Sequence, residues 1–218
     1  MIKSHFDDFI IQMRALDTGA ELELEEIPAP TKLAPLAFAI AADLPMSEDF
    51  FLASDLTHTS SDTSDASDSG EPGDSGDSAD LEDELYVTGR FVLLADPNFH
   101  QAWQGEFRAV TFVRAPIDSQ MAADPMLNDV GWSWMADALE NSGARFTALS
   151  GTVTRVASTS YGKLAPKPDQ SEIEIRGSWT PVDGRELINH AKAWIRLLEM
   201  VAGTAPLPEG VSSLSKRR

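Results

Sequence analysis

Gly105-Glu106-Phe107-Arg108-Ala109-Val110-Thr111-Phe112-Val113-Arg114-Ala115 decides how the chain folds. Phe107, Thr111 and Val113 fall on one side of an extended strand, and Val110 and Phe112 on the other. A strand with apolar residues on both faces belongs inside a sheet, with neighbours on either edge.

Those neighbours can be read outward from it. Tyr86 to Ala95 is rich in Val, Phe and Leu and is closed by Asp96-Pro97, so it reads as a strand. Glu172 to Thr180 alternates Ile173, Ile175 and Trp179 with Glu172, Glu174 and Arg176. Phe146 to Ser158 is rich in Thr and Val. Upstream, Leu22 and Leu24 alternate with glutamates between Glu21 and Ile27, and Leu36 to Leu44 carries Phe38 and Ile40 on one side. These spacings predict further strands.

Three segments have helical spacing. Phe6, Phe9, Ile10, Met13 and Leu16 share one face, with Ser4 as the expected cap, Asp7 three residues on and Gly19 as the stop. Trp132 to Asn141 turns Met135, Ala138 and Leu139 inward and meets Gly143. Asp183 with Glu186 has capping-box spacing before Leu187, Ala191, Trp194, Leu198 and Val201, and Gly203 closes that helix. The order α-β-β-(insert)-β-β-α-β-β-α predicts an α+β fold, a mostly antiparallel sheet with three helices.

The insert is set apart by composition. Ser54 to Glu84 collapses to Ser, Asp, Gly and Thr and holds 11 acids with no Lys or Arg. Such a stretch buries too little apolar surface to offset an ordering cost of about 1–2 kcal/mol per residue. Residues 54–84 are therefore expected to be a disordered insertion in a single domain formed by 1–53 and 85–205, with 206–218 a flexible tail. The 218-residue chain, 42% hydrophobic, is long enough for one such domain.

Charge and composition exclude several functions. The chain has 35 acids against 17 Lys and Arg, a formal charge of −18. Setting aside the 11 acids of the insert leaves 24 against 17, still net acidic. A nucleic-acid surface needs clustered cations, so nucleic acid is not an expected partner. With no cysteine there is no disulfide, thiol nucleophile or Cys-ligated metal. Asp7 and Asp8 interrupt any secretory signal, and no apolar run reaches the ~20 residues of a membrane span. The expected location is the cytoplasm, with no membrane association.

No motif carries chemistry on its own. Gly73-Asp74-Ser75-Gly76 resembles the surroundings of some protease serines but lies where no rigid oxyanion hole can be built. Asp62, Asp65 and Asp68 are spaced by three, not by the two of a calcium loop. His5, His58, His100 and His190 include no pair at metal-site spacing. No phosphate loop, dinucleotide fingerprint or nucleophile elbow is present, and no metal or cofactor is expected.

Two groups of side chains remain as candidates. Gly131-Trp132-Ser133-Trp134 places two indoles ~200° apart on a helix, so Trp132 and Trp134 cannot enter the same core. Either both are structural on different layers, or one anchors a partner, a role in which Trp is enriched. His100 beside Trp103 in a turn, with Asp124, Arg114 and Arg176, forms the set to inspect for an enclosed ligand site or active site. The leading expectation is a non-catalytic binding or adaptor protein with a protein partner. An enzyme or small-ligand protein whose site forms only in three dimensions is the alternative, and the oligomeric state is open.

Several strings also resemble an actinobacterial family known as domain of unknown function 3000. They include Glu25-Glu26-Ile27-Pro28-Ala29-Pro30, Trp103-Gln104-Gly105-Glu106-Phe107-Arg108, Ala122-Ala123-Asp124-Pro125, Gly131-Trp132-Ser133-Trp134, Gly151-Thr152-Val153-Thr154 and Ser178-Trp179-Thr180-Pro181. The resemblance covers nearly everything outside the acidic insert. It implies an actinobacterial, cytoplasmic origin and no set of catalytic residues.

Overall fold

In a computed structural model, which describes residues 1–46, 85–165 and 169–204, six antiparallel strands form one sheet. The strands are β1 (Glu23–Glu26), β2 (Leu36–Pro45), β3 (Tyr86–His100), β4 (Gly105–Ile117), β5 (Phe146–Ser158) and β6 (Gln170–Pro181). Their order across the sheet is β1-β2-β3-β4-β6-β5, which puts β4 between β3 and β6, as its two apolar faces require. Four helices accompany them: α1 (Ile2–Arg14), α2 (Ser119–Ala123), α3 (Leu127–Asn141) and α4 (Leu187–Ala202). The fold is α+β. The expected insertion at 54–84 and tail at 206–218 lie outside the described residues.

Strand alternation sorts the side chains into two faces. Val87, Phe91 and Leu93 of β3, Ala109, Val113 and Ala115 of β4, and Ile173, Ile175 and Trp179 of β6 are buried on the helix side. They share one core with Phe6, Phe9 and Met13 of α1, Met135 and Leu139 of α3, and Trp194, Leu197 and Leu198 of α4. Residues from both sides of the 54–84 stretch therefore enter the same interior. Phe91 is central: its ring lies 5.7 Å from Trp194, 6.2 Å from Trp179 and 6.4 Å from Phe9. Such aromatic contacts add about 0.5–1.5 kcal/mol each beyond area burial.

Glycine makes room at the tightest contacts. A Cβ on Gly89 would stand 2.6 Å from Leu198 Cδ2 and 3.1 Å from the Trp194 indole nitrogen. On Gly151 it would meet the Arg176 carbonyl oxygen at 2.1 Å and Trp132 at 2.9 Å. On Gly177 it would meet only the tip of Met135, at 2.7 Å.

Element ends depart from expectation for local reasons. α1 begins at Ile2 with Met1 at its cap, so Ser4 lies inside the helix, and it ends well before Gly19. α3 begins at Leu127 rather than Trp132, because Leu127 and Gly131 are buried on the same face as Met135 and Ala138. Asp183 caps a 3-10 turn, Gly184–Glu186, by accepting the Arg185 N–H, and α4 follows without a side-chain cap. The fourth helix, α2, is held by Asp118, which accepts the N–H groups of Gln120 and Met121. It packs Met121 and Ala122 half-buried against the core, but five residues are too few to show an apolar period. β3 runs past Asp96-Pro97: pairing breaks after Ala95 and resumes at His100 opposite Gly105, a bulge around a residue with no N–H.

His190 is fully buried in α4. Its Nδ1 accepts the Trp179 indole N–H at 2.9 Å, so the neutral ring carries its proton on Nε2, which has no partner among the described residues. Burial pushes its pKa down to about 4 from 6.5, a nearby Glu186 opposing this more weakly. The unfolded chain therefore binds the extra proton first as pH falls. Stability should drop by roughly 3 kcal/mol between about pH 6.5 and 4 from this residue alone. Urea unfolding across that range should show the drop in the parent, and His190→Gln, which keeps an acceptor for Trp179, should flatten it. An unchanged slope would exclude His190 as its source.

The glycine contacts give a second prediction. Gly151→Ala forces two strand backbones apart and should cost about 3 kcal/mol in urea unfolding. Gly177→Ala, which only turns a methionine tip aside, should cost about 1 kcal/mol. Equal losses would contradict the register of β5 on β6.

Candidate functional site

All four helices lie on one side, and the other side of the sheet carries side chains that pair across the strands in rows. One row reads Ala41, Arg90, Phe112, Arg176, Thr152 from β2 to β5. The next reads Ala39, Val92, Val110, Ser178, Ser150. Val110 is 37% exposed, and Arg90 and Arg176 are exposed, whereas Ala39 and Leu94 toward β2 are buried. The rows form a shallow groove of about 560 Å³ lined by Arg90, Val110, Phe112, Ser150, Thr152, Arg176 and Ser178 together with strand backbone. No carboxylate lines it.

Phe112 sits between two arginines, opposite Arg90 on β3 and opposite Arg176 on β6. The Arg176 guanidinium carbon stands 5.1 Å from the Phe112 ring centroid, a cation–π contact. Arg176 also donates one N–H to Glu174 at 2.8 Å. Arg90 has no ion-pair partner among the described residues.

The flanking arginines are committed to the sheet. Arg108 donates to Ala148 O and Thr180 Oγ1 at 3.1 Å, to Ser150 Oγ at 3.3 Å and to Ser178 Oγ at 2.5 Å, tying β4 to β6 and β5. Partial desolvation lowers its pKa, though a guanidinium stays charged at any working pH. Arg114 forms a two-pronged ion pair with Glu172, whose hydrogen bonds and charge raise its pKa.

Of the residues singled out in the sequence, Arg114 and Arg176 share this face as diagonal neighbours, about 7–8 Å apart at that register. His100 and Asp124 do not join them. His100 stacks on Trp103, ring centroids 4.4 Å apart, in the β3–β4 hairpin, and the Trp103 carbonyl accepts a hydrogen bond from Thr180. Asp124 follows α2, where its side chain accepts the Met126 N–H. They stand at opposite ends of β4, which spans roughly 40 Å. Trp132 packs over Gly151 and Trp134 against the core, both half-buried. Arg90 and Phe112, which line the groove beside Arg176, were not singled out in the sequence. Their signal is period two: Arg108, Val110, Phe112 and Arg114 share one face of β4.

A larger cleft, about 1040 Å³, opens where α1 begins, between the β3–β4 hairpin and the Gly184–Glu186 turn. Phe99 (φ 54°) and Gln104 (φ 59°), both in left-handed backbone, line it. Inside it, Asp183 is bound by Arg185 at 2.6 Å and Arg145 at 3.0 Å, and these hydrogen bonds hold its carboxyl well below the usual range. It is thereby locked as a carboxylate and is no proton carrier. Among the described residues no three of His, Cys, Asp or Glu stand together to hold a metal ion, and no helix is long and apolar enough to cross a membrane.

No curated protein and no solved structure matches the chain. A family model described as a protein of unknown function (DUF3000) matches residues 2–212. That match takes in every strand and helix above, and the chain belongs to this family.

Proposed function

We propose that the protein is a non-catalytic binding or adaptor protein that docks a protein partner on the open face of its sheet. One observation carries the reading. A chain with twice as many acids as bases keeps a carboxylate-free groove on that face, with Phe112 held between Arg90 and Arg176. Aromatic and arginine side chains dominate the energetics of protein docking, and here their backbones are already fixed in the sheet. The larger cleft, by contrast, gathers Lys3, His5, Glu106, Asp183 and Arg185, and its Asp183 is held as a carboxylate by Arg185 and Arg145. In this reading the protein works in the cytoplasm of an actinobacterium, and the half-buried Trp132 and Trp134 support β5 and α3 rather than touch the partner.

A second reading, a small-ligand or enzymatic site in the 1040 Å³ cleft, has the paired left-handed residues Phe99 and Gln104 in its favour, since backbone strain gathers at ligand sites.

Affinity capture from native lysate separates the two. The parent chain should retain a stoichiometric protein partner, and Val182→Asp in the cleft should retain it equally. Phe112→Asp should reduce recovery by about 30-fold or more, a hot-spot-sized loss. Unchanged recovery with Phe112→Asp and loss with Val182→Asp would move the site to the cleft.

A further inference from the structure

Building on the docking role proposed above, we infer that the partner adds a strand to the sheet, pairing an extended acidic segment with the free edge of β5. Addition of a strand to a sheet edge is a recurring mode of peptide recognition. The two edges of this sheet differ. β1 is four residues long, and three of them are glutamates, Glu23, Glu25 and Glu26. Short length and charge both guard an edge against pairing. β5 lacks these guards: it has 13 residues, none of them buried, and Arg155 is its one charge. Its neighbour in the sheet is β6 alone.

The backbone of that edge is regular and uncommitted. Pairing with β6 breaks between Thr147 and Ser150 and is continuous from Ser150 to Ser158. Along such a pair, alternate residues turn their N–H and C=O groups to the neighbour, and the others turn theirs away. Among the described residues, only β6 bonds to the backbone of Ser150–Ser158. Ser150 and Thr152 also line the groove, so an added strand extends the same open face.

Charge selects the occupant. Residues 141–168 hold four Lys or Arg and no Asp or Glu, the longest acid-free run in a chain of charge −18. Arg155 turns to the helix side, where its Nη1 donates to the carbonyls of Ala122 and Asp124 at 3.1 and 2.7 Å. It has no ion pair among the described residues, and its Nε and Nη2 are left for a carboxylate. On the open face Thr154 and Val156 pair with Glu174 and Glu172, which repel an acid. Side chains of an added strand alternate between the faces, so an acid beside Arg155 puts its two neutral neighbours beside Thr154 and Val156. A second copy would set the bases of β5 against themselves. The chain's own residues 54–84 have the charge, but their Ser, Asp and Gly are disfavoured in strands.

Fluorescence anisotropy with the full chain and the labelled peptide Thr-Val-Thr-Glu-Thr-Val-Thr makes the test. N-methyl groups on its threonines block one edge of the peptide strand, and N-methyl groups on its valines and glutamate block the other. One set should weaken binding by about tenfold or more, the loss of several backbone hydrogen bonds, and the other should leave it within about twofold. Lysine in place of the glutamate should cost about tenfold. Thr154→Pro and Ala157→Pro remove N–H groups that point in opposite directions, so the variant that keeps the parent's urea midpoint should lose the peptide. Equal affinity of the two N-methylated peptides, or undiminished binding of the lysine peptide, overturns the inference. No binding overturns it too, and sedimentation as a dimer then assigns the edge to a second copy. Binding seen only after the acids of 54–84 are changed to Asn or Gln overturns it and assigns the edge to the chain itself. If the strand test fails while Phe112→Asp still loses the captured partner, the docking face stands and only the added strand falls.

Discussion

Strand alternation beneath a single layer of helices is the constraint on which the molecule depends. Every second side chain of β2, β3, β4 and β6 must enter one core, and the aromatic centre of Phe91, Trp179 and Trp194 closes only because Gly89 admits α4 against the sheet. A one-residue slip would turn each strand over and expose its whole apolar set. The register is therefore fixed by burial, and with it the composition of the opposite face. Arg90, Phe112 and Arg176 are brought into line by packing on the side they do not touch.

That coupling makes the outer face rigid. Arg108 ties three strands together through four acceptors, and Arg114 pairs with Glu172, so the groove lies between fixed polar clamps. A preorganised surface loses little side-chain freedom on docking, which favours recognition by a flat sheet. The net negative charge of the chain acts in the opposite sense, working against the approach of anions as a whole.

Much of the fold was legible in the sequence. Period two in Gly105–Ala115 and Glu172–Thr180, and period 3.6 in Leu187–Val201, mark elements that bury one face continuously, and the structure keeps all three. What stayed hidden was either short or local. The five-residue α2 only half-buries Met121 and Ala122 and is too short for an apolar period to announce it. Gly131 reads as a helix boundary by propensity, yet it is a contact point where α3 meets Ile173 and Val153. The site was harder. Arg114 and Arg176 could be singled out one at a time, but that Arg90 and Arg176 bracket Phe112 depends on strand order, and β6 lies beside β4 only because β5 takes the edge. Tryptophan enrichment pointed to Trp132 and Trp134, which the structure holds half-buried, one over Gly151 and the other against the core.

The absence of cysteine from the chain permits a direct test of the one-sided sheet. Val110 and Thr111 are neighbours on β4, one 37% exposed on the outer face and the other 3% exposed beneath the helices. In the native protein, Val110→Cys should react with a maleimide at close to the rate of the urea-unfolded chain. Thr111→Cys should be protected until the protein unfolds. Equal and strong protection of both cysteines would mean that the outer face is covered, contradicting the account.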